Sequence, residues 1–236
     1  GCIAVTDAEV KQYMERGVRR ERIEVIPNGI DVGSFEKLPQ RGSFRSERTI
    51  KDDEIIFLYL GKITPRKGLL YLIRAFSYIQ KNLSARLIIA GNDMGYLNVV
   101  RREARRLGVE GKIEFTGLLV GEEKLKAYVD ADLLIYPSAY EIFGLVPFEA
   151  ILCGTPAVVS DDSGCGEIIG KAKIGITAPY GDSTALAKAM EWMISHTAEA
   201  REMVERGKAF IRKNFTWESI AEKTIDFYCR MIDEKG

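Results

Sequence analysis

Short apolar segments alternate along the chain with segments whose apolar positions recur at helical spacing. The apolar segments predict strands at 54–60, 85–90, 112–116, 132–136, 156–160 and 173–177. The segments between them predict helices at 67–81, 96–107, 122–129 and 163–169, and a further helix after Pro137. Strands without polar alternation that take turns with helices indicate a parallel sheet covered on both faces. We therefore expect an α/β protein with a doubly wound, Rossmann-like sheet.

The two ends of the chain depart from this alternation. Residues 1–5 and 22–26 are expected as short strands, and Thr6 with Glu9 three residues later is typical of a capping box that starts a helix. At the other end, helices are expected near 182–194, 198–213 and 217–232. Because no strand separates these three segments, we expect extra C-terminal helices added to the sheet.

Charge and cysteine content exclude several classes of function. The 236 residues carry 34 Lys or Arg and 34 Asp or Glu, so no global basic field indicates a nucleic acid partner. The arginines of 101–106 share one face of a predicted helix and read as a solvated surface. The four cysteines form no CxxC pair, which favours reduced thiols of a cytoplasmic protein over a disulfide framework or a zinc site.

The segment 138–156, SAYEIFGLVPFEAILCGTP, follows the apolar run of 133–136 and holds two glutamates, Glu141 and Glu149, with seven residues between them. A turn from a strand to a helix in an α/β sheet is where ligands bind. The N–H groups at the start of the helix, those of Phe143, Gly144 and Leu145, lack intrahelical partners and can bind an anion. Acids on both sides of such a site fit a ligand that carries hydroxyl groups around its phosphates, such as a nucleotide sugar.

The loop 61–68, GKITPRKG, joins a predicted strand to a predicted helix and is rich in cations. Gly61 allows close approach of the backbone, and Lys62 and Lys67 are five residues apart. The loop matches neither the G-x-G-x-x-G nor the Walker A pattern. On its own it could be a solvated connection between a strand and a helix.

Together these residues resemble a known family. Glu141 and Glu149 at E-x7-E spacing, the F-G-L between them and C-G-T-P at 153–156 look like the motif of retaining GT-B glycosyltransferases of family 4. The resemblance extends, at lower density, over nearly the whole chain. It implies that Lys62 and Lys67 bind the donor diphosphate, with Lys62 standing where the family commonly has arginine.

The resemblance also implies roles for the remaining candidates. Glu149 would bind the ribose 2′ and 3′ hydroxyls, and Glu141 would position the donor sugar and stabilise charge. The amides of 143–145 would contact sugar and phosphates, and Leu118 or Leu119 would flank the base. We therefore expect Lys62, Lys67 and Glu141 as catalytic residues. We expect Gly61, Leu118, Leu119, Phe143, Gly144, Leu145 and Glu149 as donor-binding residues.

One local departure from the family leaves other interpretations open. Residues 163–167, SGCGE, stand where the family has GG-x-P-E. One glycine and the proline of that pattern are not matched, Glu167 stays in register, and the path of this loop is not predicted. Cys165 could be a nucleophile, but no histidine is near it in sequence and an inert thiol is favoured. No convincing set of metal ligands occurs, and Asp161 with Asp162 is read as a loop.

The resemblance divides the chain into three parts. Residues 25–31, VIPNGID, match the family's connection between its acceptor-binding and donor-binding halves. Residues 1–26 would be the last strand and helix of an N-terminal acceptor domain, 27–215 the donor-binding domain, and 216–236 the helix that crosses back. We expect a partial chain, the C-terminal half of a GT-B fold, that binds donor but transfers little and that self-associates through exposed apolar surface.

The function implied is the donor-binding part of a retaining, metal-independent hexosyltransferase without a prosthetic group. Its donor would be a UDP-, GDP- or ADP-linked sugar. The acceptor would be a sugar, a polysaccharide or a glycolipid, bound through the N-terminal domain, with the full enzyme cytoplasmic and peripheral at the inner face of a membrane. Two alternatives remain open: a nucleotide-sugar epimerase-like GT-B relative, and a non-catalytic module that binds nucleotides or serves as a scaffold.

Overall fold

Strands and helices alternate through most of the chain in the computed structural model, which describes residues 1–233. The strands are β1 (Cys2–Ala4), β2 (Ile23–Val25), β3 (Ile55–Leu60), β4 (Ala85–Ala90), β5 (Ile113–Gly117), β6 (Leu133–Tyr136), β7 (Ala157–Ser160) and β8 (Ile176–Ala178). The helices are α1 (Asp7–Glu15), α2 (Ser43–Glu47), α3 (Leu69–Ile79), α4 (Leu97–Arg106), α5 (Gly121–Asp130), α6 (Val146–Leu152), α7 (Gly164–Ala172), α8 (Ser183–Ser195), α9 (Thr197–Asn214) and α10 (Trp217–Asp233). None of these helices is both long and apolar enough to cross a lipid bilayer.

The main sheet has six parallel strands in the order β5-β4-β3-β6-β7-β8. This order reverses direction between β3 and β6, which is the topological switch point of a doubly wound sheet. Both faces are covered: α3, α4 and α8 contribute to the apolar core on one side, and α5, α6 and α9 to the core on the other. The predicted fold class is confirmed. The uninterrupted apolar strands are explained by burial on both faces.

The helix predicted at 67–81 begins later than its apolar pattern indicated. Residues Pro65–Lys67 form a short 3₁₀ turn, and Gly68 adopts a left-handed conformation with φ of +69° before α3 starts at Leu69. Lys67 therefore lies in the loop rather than inside the first helical turn. Hydrophobic periodicity does not reveal a positive φ, which only glycine adopts readily.

Side-chain caps begin the first and last helices, and the first of them, at Thr6, was predicted from the sequence. The Thr6 hydroxyl accepts a hydrogen bond from the N–H of Glu9 at 3.4 Å, while the Glu9 carboxylate accepts one from the N–H of Val5 at 2.7 Å. At the start of α10, the Thr216 hydroxyl accepts from the N–H of Ser219 at 3.2 Å. Each cap satisfies an N–H group that the helix itself leaves without a partner.

The first and last segments of the chain pack together beside the main sheet. Strands β1 and β2 form a separate parallel pair, and α1 packs on it through a small core that contains Ala4, Val10 and Ile23. Helix α10 reaches the same region, where Phe227 and Met231 pack with Ile3 and other apolar residues. The division into 1–26, 27–215 and 216–236 remains a prediction, and residues 234–236 of the last part lie outside the described residues.

Candidate functional site

Two loops meet at the switch point of the sheet: residues 61–68 after β3 and residues 137–145 after β6. The N–H of Ala139 donates a hydrogen bond to the carbonyl oxygen of Arg66 at 2.9 Å. Gly68 lies directly against Pro137, since a Cβ atom at position 68 would be 2.0 Å from the carbonyl oxygen of Pro137. The two loops are therefore held in close contact along their backbones.

The contact at Gly68 leads to a prediction about stability. Replacing Gly68 with alanine is expected to destabilise the protein by about 3 kcal/mol, because it combines strain at a positive φ with a clash against Pro137. Gly95→Ala is the matched control: Gly95 also has a positive φ, but a Cβ atom there would meet nothing within 4 Å, so about 1 kcal/mol is expected. Urea denaturation of both variants measures the difference, and equal losses would contradict the close loop contact.

The first cluster at this junction, called the Glu141 cluster, contains Lys67, Tyr136 and Glu141. The Lys67 ammonium forms an ion pair with the Glu141 carboxylate and donates a hydrogen bond to the Tyr136 hydroxyl at 3.0 Å. The Tyr136 hydroxyl in turn donates to Glu141 at 2.8 Å. Burial raises the pKa of Glu141, but the hydrogen bonds from Lys67 and Tyr136 outweigh it and leave the pKa below its usual value. The carboxylate is therefore ionised at neutral pH.

The second cluster, called the Glu149 cluster, contains Lys124, Tyr128 and Glu149. The Lys124 ammonium lies 3.1 Å from each carboxylate oxygen of Glu149, and the Tyr128 hydroxyl donates to one of them at 2.8 Å. Lys124 and Tyr128 are four residues apart on α5, so they share one helix face. The sequence analysis did not identify either residue. Their spacing of four on the helix just before β6, which places them on one face, was the available signal.

The two clusters are neighbours. The rings of Tyr128 and Tyr136 belong to one apolar core. Burial and the charge of Glu149 raise the pKa of Tyr128, and Tyr136 adds a smaller increase. The tyrosines of the two clusters therefore lie near each other in the interior. Each of the two acids is thus bound by one lysine ammonium and one tyrosine hydroxyl.

The backbone between the two glutamates leaves donors unused. The N–H groups of Phe143, Gly144 and Leu145 form no hydrogen bond within residues 1–233. Gly144 has φ of +74°, and a Cβ atom there would lie 2.9 Å from the Cγ of Glu141. The Phe143 ring packs into the core against Phe148, so it is the backbone of this residue that remains available.

The remaining sequence candidates occupy different environments. Lys62 is exposed, and its side chain contacts no charged partner in the part of the chain that the structure describes. The N–H of Gly61 donates to the carbonyl oxygen of Ala90 at 2.9 Å, which joins the ends of β3 and β4. The Leu118 side chain is 57% exposed, whereas Leu119 is only 7% exposed and lies in the core. The structure therefore leaves Leu118, and not the side chain of Leu119, free to contact a ligand.

A cavity of about 630 Å³ lies between the N-terminal segment and α7. Its wall includes Glu141, Tyr140 and Ile142, but neither Lys67 nor Glu149. Glu167 also lines the cavity, and its carboxylate accepts a hydrogen bond from the N–H of Ala8 at 2.9 Å. The cavity therefore adjoins the Glu141 cluster, and Glu149 does not line it.

The loop that departs from the family pattern starts α7. The Ser163 hydroxyl accepts from the N–H of Gly166 at 3.0 Å and caps this helix. Cys165 is fully buried beneath Gly144, and burial raises the pKa of its thiol to about 12. A protonated, buried thiol is a poor nucleophile, in agreement with the inert interpretation.

Residues 1–233 contain no group of three or more His, Cys, Asp or Glu side chains arranged to bind a metal ion. Lysine ammonium groups, the Tyr136 hydroxyl and backbone N–H groups are among the hydrogen-bond donors at the junction. Metal independence of a reaction at this site remains a prediction.

Comparisons with known proteins find similarity to glycosyltransferases. The sequence model of the glycosyl transferases of group 1 matches residues 40–210. The chain is 34% identical over 221 residues to an uncharacterized glycosyltransferase of Methanocaldococcus jannaschii, covering 92% of this chain and 56% of the relative. It is 27% identical over 234 residues to the D-inositol 3-phosphate glycosyltransferase of Rhodococcus erythropolis, covering 96% and 52%. The chain thus spans little more than half the length of these relatives.

Solved structures share the fold. Anabaena Alr3699/HepE in complex with UDP and glucose superposes with a TM-score of 0.86 at 24% identity, covering 97% of this chain and 62% of that one. Sucrose-phosphate synthase from Thermosynechococcus elongatus superposes with a TM-score of 0.81 at 28% identity, covering 99% and 59%.

Proposed function

The chain belongs to the glycosyl transferases of group 1, and from this premise we propose that it is the donor-binding part of a retaining, metal-independent glycosyltransferase of family 4. The observation that carries the proposal is the Glu141 cluster. It holds the Lys67 ammonium and the Glu141 carboxylate at the switch point, and the unused N–H groups of 143–145 follow Glu141 in the same loop. This edge of a doubly wound sheet is where ligands bind.

The proposed chemistry uses these groups to stabilise a leaving group. Transfer of a sugar from a nucleoside diphosphate builds negative charge on the departing phosphate and positive charge on the anomeric carbon. Lys67, together with Lys62 and the N–H groups of 143–145, would stabilise the phosphate charge, since preorganised donors are most effective where charge develops. The Glu141 carboxylate would position the sugar and face the positive carbon.

The second acid is proposed to hold the ribose. The two oxygens of Glu149 would accept from the 2′ and 3′ hydroxyls, and Lys124 and Tyr128 would orient the carboxylate. Leu118 is proposed to flank the base. The complex of Alr3699/HepE with UDP supports a nucleoside diphosphate as the ligand class, and the choice among UDP, GDP and ADP remains open.

The acceptor is proposed to bind mainly to the part of the relatives that this chain does not span. The cavity beside Glu141 is where a sugar, polysaccharide or glycolipid acceptor would approach the donor sugar. Closure of two domains over such a site would exclude water. We therefore expect the isolated chain to bind donor and to transfer little sugar.

A thermal-shift panel tests the proposal. UDP, GDP and ADP, each alone and as a sugar conjugate, are titrated against the chain, with inorganic phosphate at equal ionic strength as the control. Ligand binding stabilises the folded state by mass action, so one nucleotide is expected to raise the melting temperature well above the phosphate control. No shift with any of the six ligands would contradict donor binding and would favour a scaffold without catalysis.

The charge of Glu141 leads to a further prediction. Replacing Glu141 with glutamine is expected to raise the affinity for the free nucleoside diphosphate by about threefold to tenfold, because it removes a negative charge near the phosphates and releases Lys67. The affinity for the sugar conjugate is expected to rise less or to fall, since a sugar contact is weakened. Isothermal titration calorimetry measures both values.

Glu167→Gln provides the control for this variant. Glu167 also lines the cavity, but its carboxylate contacts Lys171 and the N–H of Ala8 instead of Lys67. We expect its affinity for the free diphosphate to stay within about twofold of wild type. Weaker binding of the free diphosphate by Glu141→Gln would show that Glu141 does not compete with the phosphates for Lys67.

A further inference from the structure

We propose that Tyr136 is a positioning residue that holds Glu141 while Lys67 is transferred from that carboxylate to the phosphates of the donor. The inference rests on the proposed function, because it concerns how the same site accepts a diphosphate. Tyr136 was not among the residues that the sequence motifs indicated.

The hydroxyl of Tyr136 bridges the two charged groups. It accepts a hydrogen bond from the Lys67 ammonium at 3.0 Å and donates one to the Glu141 carboxylate at 2.8 Å. A tyrosine hydroxyl has one proton to donate, so this arrangement fixes its orientation. Burial raises the pKa of Tyr136, and the hydroxyl therefore keeps the proton that it donates.

The ring of Tyr136 is held rigidly, which fixes the position of its hydroxyl. Tyr136 is the last residue of β6 and is 4% exposed. Its ring stacks on that of Tyr59 with centroids 6.4 Å apart and an interplanar angle of 15°. The Tyr59 hydroxyl donates to the carbonyl oxygen of Lys62 at 2.8 Å, so the stack is joined to the cationic loop as well. A buried ring that stacks on a second tyrosine, itself bonded to the loop, keeps its place when a ligand binds.

Without donor, the Lys67 ammonium is neutralised by Glu141 and shared with Tyr136. An ammonium has three N–H donors, and Glu141 and Tyr136 use two of them. A diphosphate that engages the third competes with Glu141 for the positive charge and so weakens the ion pair. The side chain of Glu141 is only 24% exposed, and a carboxylate in such a place needs hydrogen-bond partners. The hydroxyl of Tyr136 supplies one that stays in position. Donor binding is therefore favoured because Glu141 is never left without a partner.

The Glu149 cluster shows why the effect should be specific to Tyr136. Tyr128 donates to Glu149 much as Tyr136 donates to Glu141, but Lys124 lies on α5 and not in the cationic loop. Of these two tyrosines, Tyr136 is the one that contacts the ammonium of a lysine expected to bind phosphate. The predicted coupling is therefore between Tyr136, Lys67 and Glu141.

A double-mutant cycle on the intact chain tests the inference. The probe is whichever of UDP, GDP and ADP binds wild type most tightly, and affinities are measured by isothermal titration calorimetry. Tyr136→Phe is expected to weaken binding fivefold to tenfold, an effect of about 1.0 to 1.4 kcal/mol. In the Glu141→Gln background the same change is expected to alter the affinity less than about twofold, because no ion pair then has to be replaced.

Controls separate positioning from structural damage. Melting temperatures are recorded for every variant, and Tyr78→Phe, which removes a hydroxyl from an exposed tyrosine on α3, is expected to bind like wild type. If Tyr136→Phe does not fold, Tyr136→Leu takes its place in the cycle, since it also removes the hydroxyl and keeps an apolar side chain. A purely structural role would give the same loss of affinity in both backgrounds.

The outcomes distinguish this inference from the proposed function. If wild type binds a nucleotide and Tyr136→Phe binds it with unchanged affinity, the role of Tyr136 is overturned and donor binding stays intact. Equal losses of affinity in the wild-type and Glu141→Gln backgrounds would lead to the same conclusion. If wild type binds none of the three nucleotides, the proposed function fails, and this inference fails with it.

Discussion

Replacing Lys67 with alanine is expected to lower the affinity for nucleoside diphosphates by at least about 100-fold. A hydrogen bond to a charged group contributes about 1.5–3 kcal/mol, and alanine removes every such bond from Lys67 to the phosphates. The variant also leaves Glu141 ionised beside the diphosphate without its ion pair, which adds repulsion. Isothermal titration calorimetry with the best nucleotide measures the loss.

Arg66→Ala is the matched control for Lys67→Ala. Arg66 precedes Lys67 in the same loop, its side chain is exposed, and its contact with the central turn is made by its backbone oxygen. Removing this side chain is expected to change the affinity by less than about threefold, mainly through the loss of a screened surface charge. Equal losses in the two variants would mean that the loop attracts the nucleotide only through its overall charge.

Replacing Glu149 with glutamine is expected to lower the affinity about 10- to 100-fold, because two ribose hydroxyls lose a charged acceptor. The same variant should lose its preference for ribose over deoxyribose. Wild type is expected to bind a 2′-deoxynucleoside diphosphate more weakly than the ribonucleotide, whereas Glu149→Gln should bind the two nearly equally. Calorimetric titration with both nucleotides measures this selectivity.

Glu122→Gln controls for the loss of one acidic side chain. Glu122 lies on α5, the helix that also carries Lys124, but its side chain is 75% exposed and its carboxylate lies 4.0 Å from the ammonium of Lys126. It is expected to retain both affinity and ribose selectivity. Full retention of ribose selectivity by Glu149→Gln would place the ribose elsewhere.

Most of the fold was predictable because its signals are local. The strand 133–136 is apolar at every position, and the structure buries all four residues at the centre of the sheet. The cap at Thr6 was likewise visible from its spacing to Glu9. The delayed start of α3 was not predictable from periodicity, because it depends on the approach of Gly68 to Pro137, 69 positions further along the chain.

The site was only partly predictable, for the same physical reason. The motifs indicated Lys67, Glu141 and Glu149, but the side chains that hold them come from elsewhere in the chain. Lys124 and Tyr128 reach Glu149 across 25 and 21 positions, and Tyr136 reaches Lys67 across 69. Such pairings follow from the packing of strands and helices and not from the spacing of residues. Leu118 and Leu119 show the same limit, since adjacent leucines have opposite exposure.

The most direct test of donor binding at the switch point is the crystal structure of this chain with its best-binding nucleoside diphosphate. If the donor binds there, a phosphate oxygen lies about 3 Å from the Lys67 ammonium. Phosphate oxygens are also expected near the N–H groups of 143–145, and ribose hydroxyls on Glu149. A nucleotide bound at another surface, with Lys67 still paired only to Glu141 and Tyr136, would contradict donor binding at the switch point.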